Sequence, residues 1–397
     1  MEVQALLRDT FPVIWTELAE SVCRPESLAE LEDGAFQARV DLLRAHAALP
    51  MVLWGLGKGG LWLALPEDRR ERLARETGRY KAAAAVTWTE FEGILERWAK
   101  AGLTPCLLKG AHAARAFYPA PYLRPMSDVD ALFTDLKEAE RAFEILKSMG
   151  YAETAMELGG DSWATHHHLT ALMNASSKFT VEVHGSMIYP PKDKRAPALS
   201  CLWEEMAEVD VDGRTARGLC PEAFVVITFA HALVAHGAEP PKFQAIVDVA
   251  QVLKVAGTDF RWDRLKDLSV ATGFARAVSR GLAWTEDLLG GAVPAGFADE
   301  LGETAGEDGS GASLSGDDYT NAMFIQAVLH GESWGAKASV IGHMVFPPRA
   351  WMRARYPLKH RWPLWALYPY RWAGQARKVF RVVRAKGAVQ RQGGGRK

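Results

Sequence analysis

Residues 123–133 read LRPMSDVDALF, and two aspartates stand in a run that otherwise has the composition of a buried strand. Side chains at positions i and i+2 of a strand project from the same face, so Asp128 and Asp130 point the same way. The opposite face then carries the apolar residues Val129, Ala131 and Phe133. Two carboxylates held this close repel each other unless a cation lies between them. The stretch therefore predicts a strand with one buried face and one face that needs positive charge.

A third carboxylate lies on another predicted strand. The segment KFTVEVHGSM at 178–187 alternates, with Thr180, Glu182 and His184 on one face and apolar residues on the other. Upstream of the aspartates, TPCLLKG at 104–110 reads as a short apolar strand that ends in Lys-Gly and leads into a helix. Short strands with intervening helices predict a compact α/β unit.

Helical segments surround this unit. KAAAAVTWTEFEGILERWAKAG at 81–102 is rich in helix formers, carries large apolar residues at helical spacing, and stops at Gly102. TDLKEAERAFEILKSMG at 134–150 predicts a helix between the N-cap Thr134 and Gly150. The resulting division is a helical region at 1–103, an α/β core at 104–215, a helical region at 216–302, a flexible acidic Gly/Ser linker at 303–318, and a basic aromatic region at 319–397.

Composition excludes several classes of protein. The chain has 397 residues, a net charge of −1 and 24% charged residues, which is unlike a protein built as a whole to bind nucleic acid. Four scattered cysteines without C-x-x-C spacing give neither a zinc knuckle nor a disulfide framework. The longest apolar run, at 223–235, is too short to span a bilayer, and no signal peptide is evident at the N-terminus. These features predict a cytoplasmic protein.

The order of the motifs resembles the nucleotidyltransferase superfamily with the DNA-polymerase-β-like fold. A Lys-Gly turn opens a helix after the first strand, an Asp-x-Asp lies on the second strand, and an acid-x-His lies on a later strand. More closely, residues 100–250 are similar to an uncharacterised bacterial nucleotidyltransferase-like family. The resemblance implies an α+β fold, in which a small mixed-sheet core is flanked by N- and C-terminal helical regions.

The resemblance also implies a metal-dependent reaction. Nucleotidyl transfer moves an α-phosphoryl group from pyrophosphate to an acceptor hydroxyl, and metal ions about 3.5–4 Å apart stabilise the attacking and leaving oxygens. Mg²⁺, or Mn²⁺ in its place, takes carboxylate oxygens and substrate phosphates as ligands. Asp128, Asp130 and Glu182 are the expected ligands and catalytic residues, and Glu182 is alternatively the base for the acceptor hydroxyl. An exposed acidic face or salt bridges to neighbours such as Arg124 remain the structural alternative.

Four further residues are candidates for binding the nucleotide. Gly110 lets the backbone approach a phosphate at a helix N-terminus, and Lys109 adds a positive charge. Lys109 departs from the Gly-Gly or Gly-Ser of the superfamily while matching the narrower family. Arg124 and Ser127 flank the acid pair, and the fork of Arg124 suits bidentate contact with phosphate oxygens. An exposed Lys-Gly turn is the alternative interpretation.

The histidines allow several interpretations. His184 shares a face with Glu182, so it orients that acid, contacts substrate, or is a satisfied core histidine. His231 and His236 are five residues apart, which does not place them on one face of an α-helix. Together with Asp248 they resemble positions that recur in the helical region of the family. We expect these residues near the active site without assigning them catalysis.

The expected substrates are an NTP, ATP in the first place, and a hydroxyl group on a small molecule, peptide or glycan. A kinase or pyrophosphokinase reaction at the same site is one alternative, and a non-catalytic nucleotide- or RNA-binding scaffold is another. The C-terminal region has no acid after Glu332 and interleaves Arg and Lys with aromatic residues. It permits contact with a membrane or nucleic acid, but packing of its aromatic residues on the body of the protein is preferred.

Overall fold

The fold is described from a computed structural model. The structure describes residues 16–154, 169–187, 206–235 and 241–304, together with residue 203 and several positions from 345 to 373. Within these ranges the protein is α+β with one mixed sheet, which confirms the predicted fold class. No helix in the described ranges is both long enough and apolar enough to cross a membrane.

The first part of the described chain is helical. They are α1 (Ser27–Glu30), α2 (Asp33–Ala45), α3 (Leu49–Lys58) and the long α4 (Glu67–Lys100). Helix α4 covers residues 81–100 of the predicted helix and starts well before it, because the charged stretch from Glu67 is rich in helix formers. Its second half buries Trp88, Phe91, Ile94, Leu95 and Trp98 on one face, as the helical spacing predicts.

The sheet has seven strands in the order β3-β4-β5-β2-β1-β7-β6. The strands are β1 (Cys106–Leu107), β2 (Asp128–Leu132), β3 (Ala152–Glu153), β4 (Leu172–Met173), β5 (Thr180–His184), β6 (Ala207–Val211) and β7 (Arg214–Gly218). Strand β1 pairs with β7 in parallel, whereas β3 with β4, β4 with β5 and β6 with β7 are antiparallel. Strand β2, which carries the two aspartates, is therefore central in a mixed sheet.

Helices connect and follow the strands. They are α5 (Lys109–Ala116) after β1, α6 (Leu136–Ser148) after β2, then α7 (Pro221–Phe229), α8 (Phe243–Ala256), α9 (Trp262–Ala271), α10 (Ala275–Leu289) and α11 (Phe297–Thr304). Helix α6 was predicted to begin at an N-cap Thr134, and this detail is wrong. Asp135 is the N-cap, and its side chain accepts a hydrogen bond from the backbone N–H of Glu138 at 2.9 Å. An aspartate one residue later satisfies an open amide of the first turn.

The chain divides into two compact units. The first comprises residues 1–130, 198–233 and 239–307, and the second comprises 131–197, 234–238 and 308–397. The division runs through β2, between Asp130 and Ala131, so it interrupts a continuous strand. The predicted domain boundaries stay predictions, and the 305–318 part of the predicted linker and most of the C-terminal region lie outside the described residues.

The helical core of the first unit depends on a close approach of two helices. Helix α10 crosses the ring of Phe229 on α7 at Gly281, where an added Cβ would lie 2.3 Å from the ring. Phe229 is fully buried at this contact. Glycine is therefore required at position 281 by packing, because any side chain would force the aromatic core to shift.

A buried histidine occupies a similar close contact. His112 of α5 is 2% exposed, and its ring lies 5.1 Å from Phe117 and 5.3 Å from Phe224 between ring centroids. An added Cβ at Gly218 of β7 would lie 2.3 Å from Nε2 of His112. Burial in this apolar setting lowers the pKa of His112 to about 3, since the charged imidazolium loses its hydration there.

This histidine should make the stability of the protein depend on pH. The unfolded chain takes up a proton near pH 6.5, whereas folded His112 takes it up only near pH 3. The contribution of His112 to stability is therefore complete above pH 6.5 and falls as the pH drops towards 3. In thermal unfolding, wild type should lose more stability between pH 8 and pH 4.5 than His112→Leu does. The difference in stability between the two proteins at pH 8 measures the packing effect of the substitution and is subtracted. If wild type and His112→Leu lose the same stability on acidification, the lowered pKa of His112 is contradicted.

Candidate active site

The two central strands bring three possible metal ligands together. Asp130 of β2 and Glu182 and His184 of β5 each offer a ligand atom, and these atoms all lie within 4.8 Å of one another. Main-chain hydrogen bonds fix the strands here: Leu108 N donates to Asp130 O at 3.1 Å, and Phe133 N donates to His184 O at 3.0 Å. Glu182 and His184 alternate with buried valines, so both project from one face of β5.

The group is largely shielded from water. The side chains of Asp130, Glu182 and His184 are 5%, 20% and 1% exposed, and Nε2 of His184 lies 3.7 Å from Oε2 of Glu182. Two carboxylates in such a setting need a nearby positive charge, because isolated buried anions are costly. Two oxygen donors and one imidazole form a donor set that suits a divalent cation. The residues present therefore fit a metal ion at this position.

Lys109 already supplies one positive charge. Its Nζ donates to Oδ1 of Asp130 at 2.7 Å, and its side chain is 24% exposed. Lys109 is the first residue of α5 and has φ of +46°, in the left-handed region that residues other than glycine seldom adopt. Strained backbone of this kind persists where the surroundings hold it, and it concentrates at functional sites. Lys109 thus begins the helix with its backbone and places its ammonium group against Asp130.

The segment before β2 is held by a second charged pair, which is buried. Nε and Nη2 of Arg124 donate to the two carboxylate oxygens of Asp248 on α8, at 2.7 and 2.8 Å. Nη1 of the same arginine donates to the carbonyl of Pro125 at 2.7 Å. The hydroxyl of Tyr118 also donates to Asp248, at 2.7 Å, and the amide of Gln244 donates to that hydroxyl at 3.1 Å. We call Tyr118, Arg124, Gln244 and Asp248 the buried network.

The buried network explains why position 110 of the Lys-Gly turn is a glycine. An added Cβ at Gly110 would lie 3.1 Å from Nη1 of Arg124 and 3.2 Å from Cγ of Met126. Gly110 therefore gives room for the side chains that precede β2. Burial alone would lower the pKa of the Arg124 guanidinium, but the charge and hydrogen bonds of Asp248 raise it above its ordinary value. Burial, followed by the charge of Asp248, raises the pKa of the Tyr118 hydroxyl well above its ordinary range.

The predicted site residues are thus placed as follows. Asp130, Glu182 and Lys109 come together, and His184 joins them. Asp128 is not part of the group within 4.8 Å; it is half-buried at the start of β2 and accepts a hydrogen bond from Ser127 Oγ at 3.1 Å. The structural alternative was a salt bridge from Arg124 to the acid pair. In the structure, the fork of the Arg124 guanidinium binds Asp248. The phosphate contacts assigned to Arg124 and Ser127 stay predictions.

The remaining candidates lie in the helical region. Asp248 belongs to the buried network. His231 lies in the π-helical stretch Ala230–Ala235 after α7, and His236 lies outside the described residues, so their roles stay predictions. Sequence reasoning missed Tyr118 and Gln244. One signal was present for Gln244, since Gln244 and Asp248 are two polar residues at i and i+4 in the apolar segment FQAIVDVAQVL.

One comparison with known proteins finds a family for this chain. The model of a family described as an uncharacterised nucleotidyltransferase matches residues 33–290, which is more than half of the chain. No curated protein and no solved structure matches the chain at a significant level. The matched region contains the group of Asp130, Glu182 and His184, together with Lys109 and the buried network. The chain therefore belongs to this uncharacterised family of nucleotidyltransferases, which makes it a transferase.

Proposed function

We propose that the protein transfers a nucleoside monophosphate from an NTP, with ATP as the expected donor, to a hydroxyl group of a small molecule, peptide or glycan. The reaction would depend on Mg²⁺ or Mn²⁺. The observation that carries this proposal is the grouping of Asp130, Glu182 and His184 beside Lys109 at the start of α5. Membership of the nucleotidyltransferase family supports an NTP as the donor.

The reaction balances as a simple displacement. The acceptor oxygen forms a bond to the α-phosphorus, the bond from that phosphorus to the bridging oxygen of the β-phosphate breaks, and pyrophosphate leaves. The hydroxyl proton passes to a base. A bound divalent ion supplies charge stabilisation for the attacking and leaving oxygens. Asp130 and Glu182 would hold such an ion, with His184 as a further donor and Asp128 as the proposed ligand from the start of β2.

The other residues of the chain have separate tasks in this proposal. The N-terminus of α5 offers open N–H groups and the positive end of a helix dipole to phosphate oxygens. Lys109 would add an ammonium group for the triphosphate and would exchange its contact with Asp130 for a phosphate contact. Glu182 is more exposed than Asp130, so it is the better candidate to accept the hydroxyl proton. The hydroxyl group of Ser127 would donate a further hydrogen bond to a phosphate oxygen.

Labelled nucleotides test this function. The protein is incubated with Mg²⁺, a cell extract as the source of acceptors, and ATP labelled with ³²P at either the α- or the γ-phosphate. We expect α-label on an acceptor and γ-label in pyrophosphate, because the α–β bridge is the bond that breaks. The Lys109→Met variant should bind the nucleotide more weakly, so in the same assay it should need a higher ATP concentration for half-maximal labelling.

The other outcomes identify the alternatives. Transfer of γ-label to an acceptor without α-label indicates that the terminal phosphates are transferred. The α-labelled nucleotide left behind is then ADP for a kinase and AMP for a pyrophosphokinase. Mg²⁺-dependent binding of ATP without any transfer or pyrophosphate release, in extracts from several growth conditions, favours a nucleotide-binding scaffold. Each of these results would contradict nucleotidyl transfer.

A further inference from the structure

A hollow lies beside the segment that leads into β2. Its volume is about 340 Å³ when the open solvent at its mouth is included, and it is formed within the first compact unit by α4 and by residues 121–126. Tyr80, Ala84, Thr87 and Trp88 of α4 line it from one side, at spacings of four, seven and eight residues that place them on one helix face. Tyr122 and Met126 are among the residues of the other side. We call it the aromatic pocket.

The chemistry of the aromatic pocket favours a flat ring that carries hydrogen-bond acceptors. Three aromatic side chains line it, and Nζ of Lys81 lies 5.3 Å from the ring centroid of Tyr122. The indole N–H of Trp88 is buried and has no hydrogen-bond partner in the described part of the chain. A buried donor left without an acceptor is unfavourable, so an acceptor atom on a ligand that reaches the indole N–H would be stabilised. Aromatic rings bind heterocyclic bases by stacking.

The location of the pocket connects it with the proposed reaction. Arg124 and Met126 line the pocket and also contact the space at Gly110. The neighbouring residue, Lys109, donates to Asp130. Two side chains of the pocket wall therefore lie against the turn that carries the predicted phosphate site. A ligand with an aromatic heterocycle at one end and a polyphosphate at the other fits this arrangement, and the NTP has that chemistry.

We infer that the aromatic pocket binds the base of the NTP. This inference rests on the proposed function, since it assigns the triphosphate of the same molecule to Lys109 and the N-terminus of α5. The long N-terminal helix α4 is then part of the substrate site and provides affinity for the base. The apolar end of an acceptor substrate is the competing occupant, and the test below separates the two.

The test fills the pocket and leaves the phosphate site intact. Ala84 lines the pocket and is half-buried, whereas Ala82 is exposed on the same helix and does not line it. Ala84→Phe and the matched control Ala82→Phe are compared by calorimetric titration with ATP, GTP, CTP, UTP and inorganic triphosphate, all with Mg²⁺. We expect Ala84→Phe to weaken binding of at least one NTP about tenfold or more, with inorganic triphosphate unchanged. Ala82→Phe should bind like wild type.

A second variant protects the test against misfolding. Tyr122→Leu removes one stacking ring without filling the pocket, and it should also lower NTP affinity while triphosphate affinity stays the same. Equal affinity of both Ala84→Phe and Tyr122→Leu for every NTP, with melting temperatures near wild type, would overturn the inference and favour the acceptor as occupant. Wild type that binds inorganic triphosphate as tightly as any NTP would overturn it too. If neither NTP nor triphosphate binds, the proposed function fails along with the inference.

Discussion

Asp130→Asn should lower the rate of nucleotide transfer at least about a thousandfold, which corresponds to about 4 kcal/mol of transition-state stabilisation. Asp130 is the residue on which the site converges: it faces Glu182 and His184, and Lys109 donates to it at 2.7 Å. An asparagine keeps the shape and one oxygen but loses the negative charge that holds a divalent ion. The rate is measured with α-labelled ATP at saturating Mg²⁺.

The same variant has a second, independent readout. Wild type should gain thermal stability from Mg²⁺ and ATP together, by about 2.7 kcal/mol when the ligand is at a hundred times its Kd, and Asp130→Asn should lose most of that gain. Without ligands the variant should be less stable than wild type, because the ammonium group of Lys109 loses its partner. Asp135→Asn is the matched control, since asparagine also caps helix α6. Full ligand-induced stabilisation in Asp130→Asn would exclude Asp130 as a metal ligand.

Asp248→Asn should lower the stability of the protein by about 3–5 kcal/mol. The substitution leaves Arg124 charged and buried with half of its bidentate partner, and it also weakens the acceptor for the Tyr118 hydroxyl. The cost arises from an uncompensated buried charge and not from the ion pair itself. Denaturant unfolding, with the midpoint and slope analysed separately, measures the change.

The control for Asp248 is another buried acid. Glu222 is 2% exposed, but its cationic neighbour Arg261 is half exposed and remains hydrated when the acid is replaced. Glu222→Gln should therefore cost clearly less than Asp248→Asn, and equal costs would contradict the explanation from a stranded charge. The double replacement Arg124→Met with Asp248→Leu should recover much of the stability. If that stable variant is inactive, Arg124 has the phosphate contact predicted for it as well as its structural role.

The strands and the acids were predictable from the sequence because they follow from period-two alternation. Asp130, Glu182 and His184 stand at positions where polar residues alternate with valine and alanine, and alternation fixes the face. The alternation predicts that Asp128 and Asp130 are both metal ligands, because the two residues lie on the same face. It could not show that Asp130 alone joins the group with β5, since this depends on how the strands are shifted against each other.

Pairings between distant segments were not predictable. Arg124 was assigned to phosphate because its fork suits phosphate and carboxylate equally, and nothing local to LRPMSDVDALF reveals that Asp248 is its partner. The role of Lys109 as counter-ion to Asp130 has the same origin, because the ion pair spans 21 positions and depends on the order of the strands. The expected repulsion between two carboxylates is thus relieved at Asp130 by a side chain of the protein itself.

The pairing of Arg124 with Asp248 also determines when the segment before β2 can fold during synthesis. The two residues are 124 positions apart, so at a synthesis rate of about 5–20 residues per second the ribosome makes Asp248 about 6–25 s after Arg124. During that interval the nascent chain already contains the aspartates and Lys109, but the guanidinium that anchors their leading segment has no carboxylate to bind. The segment that leads into β2 is therefore anchored late in a growing chain, and a chain truncated before α8 should expose this segment to chaperones and proteases.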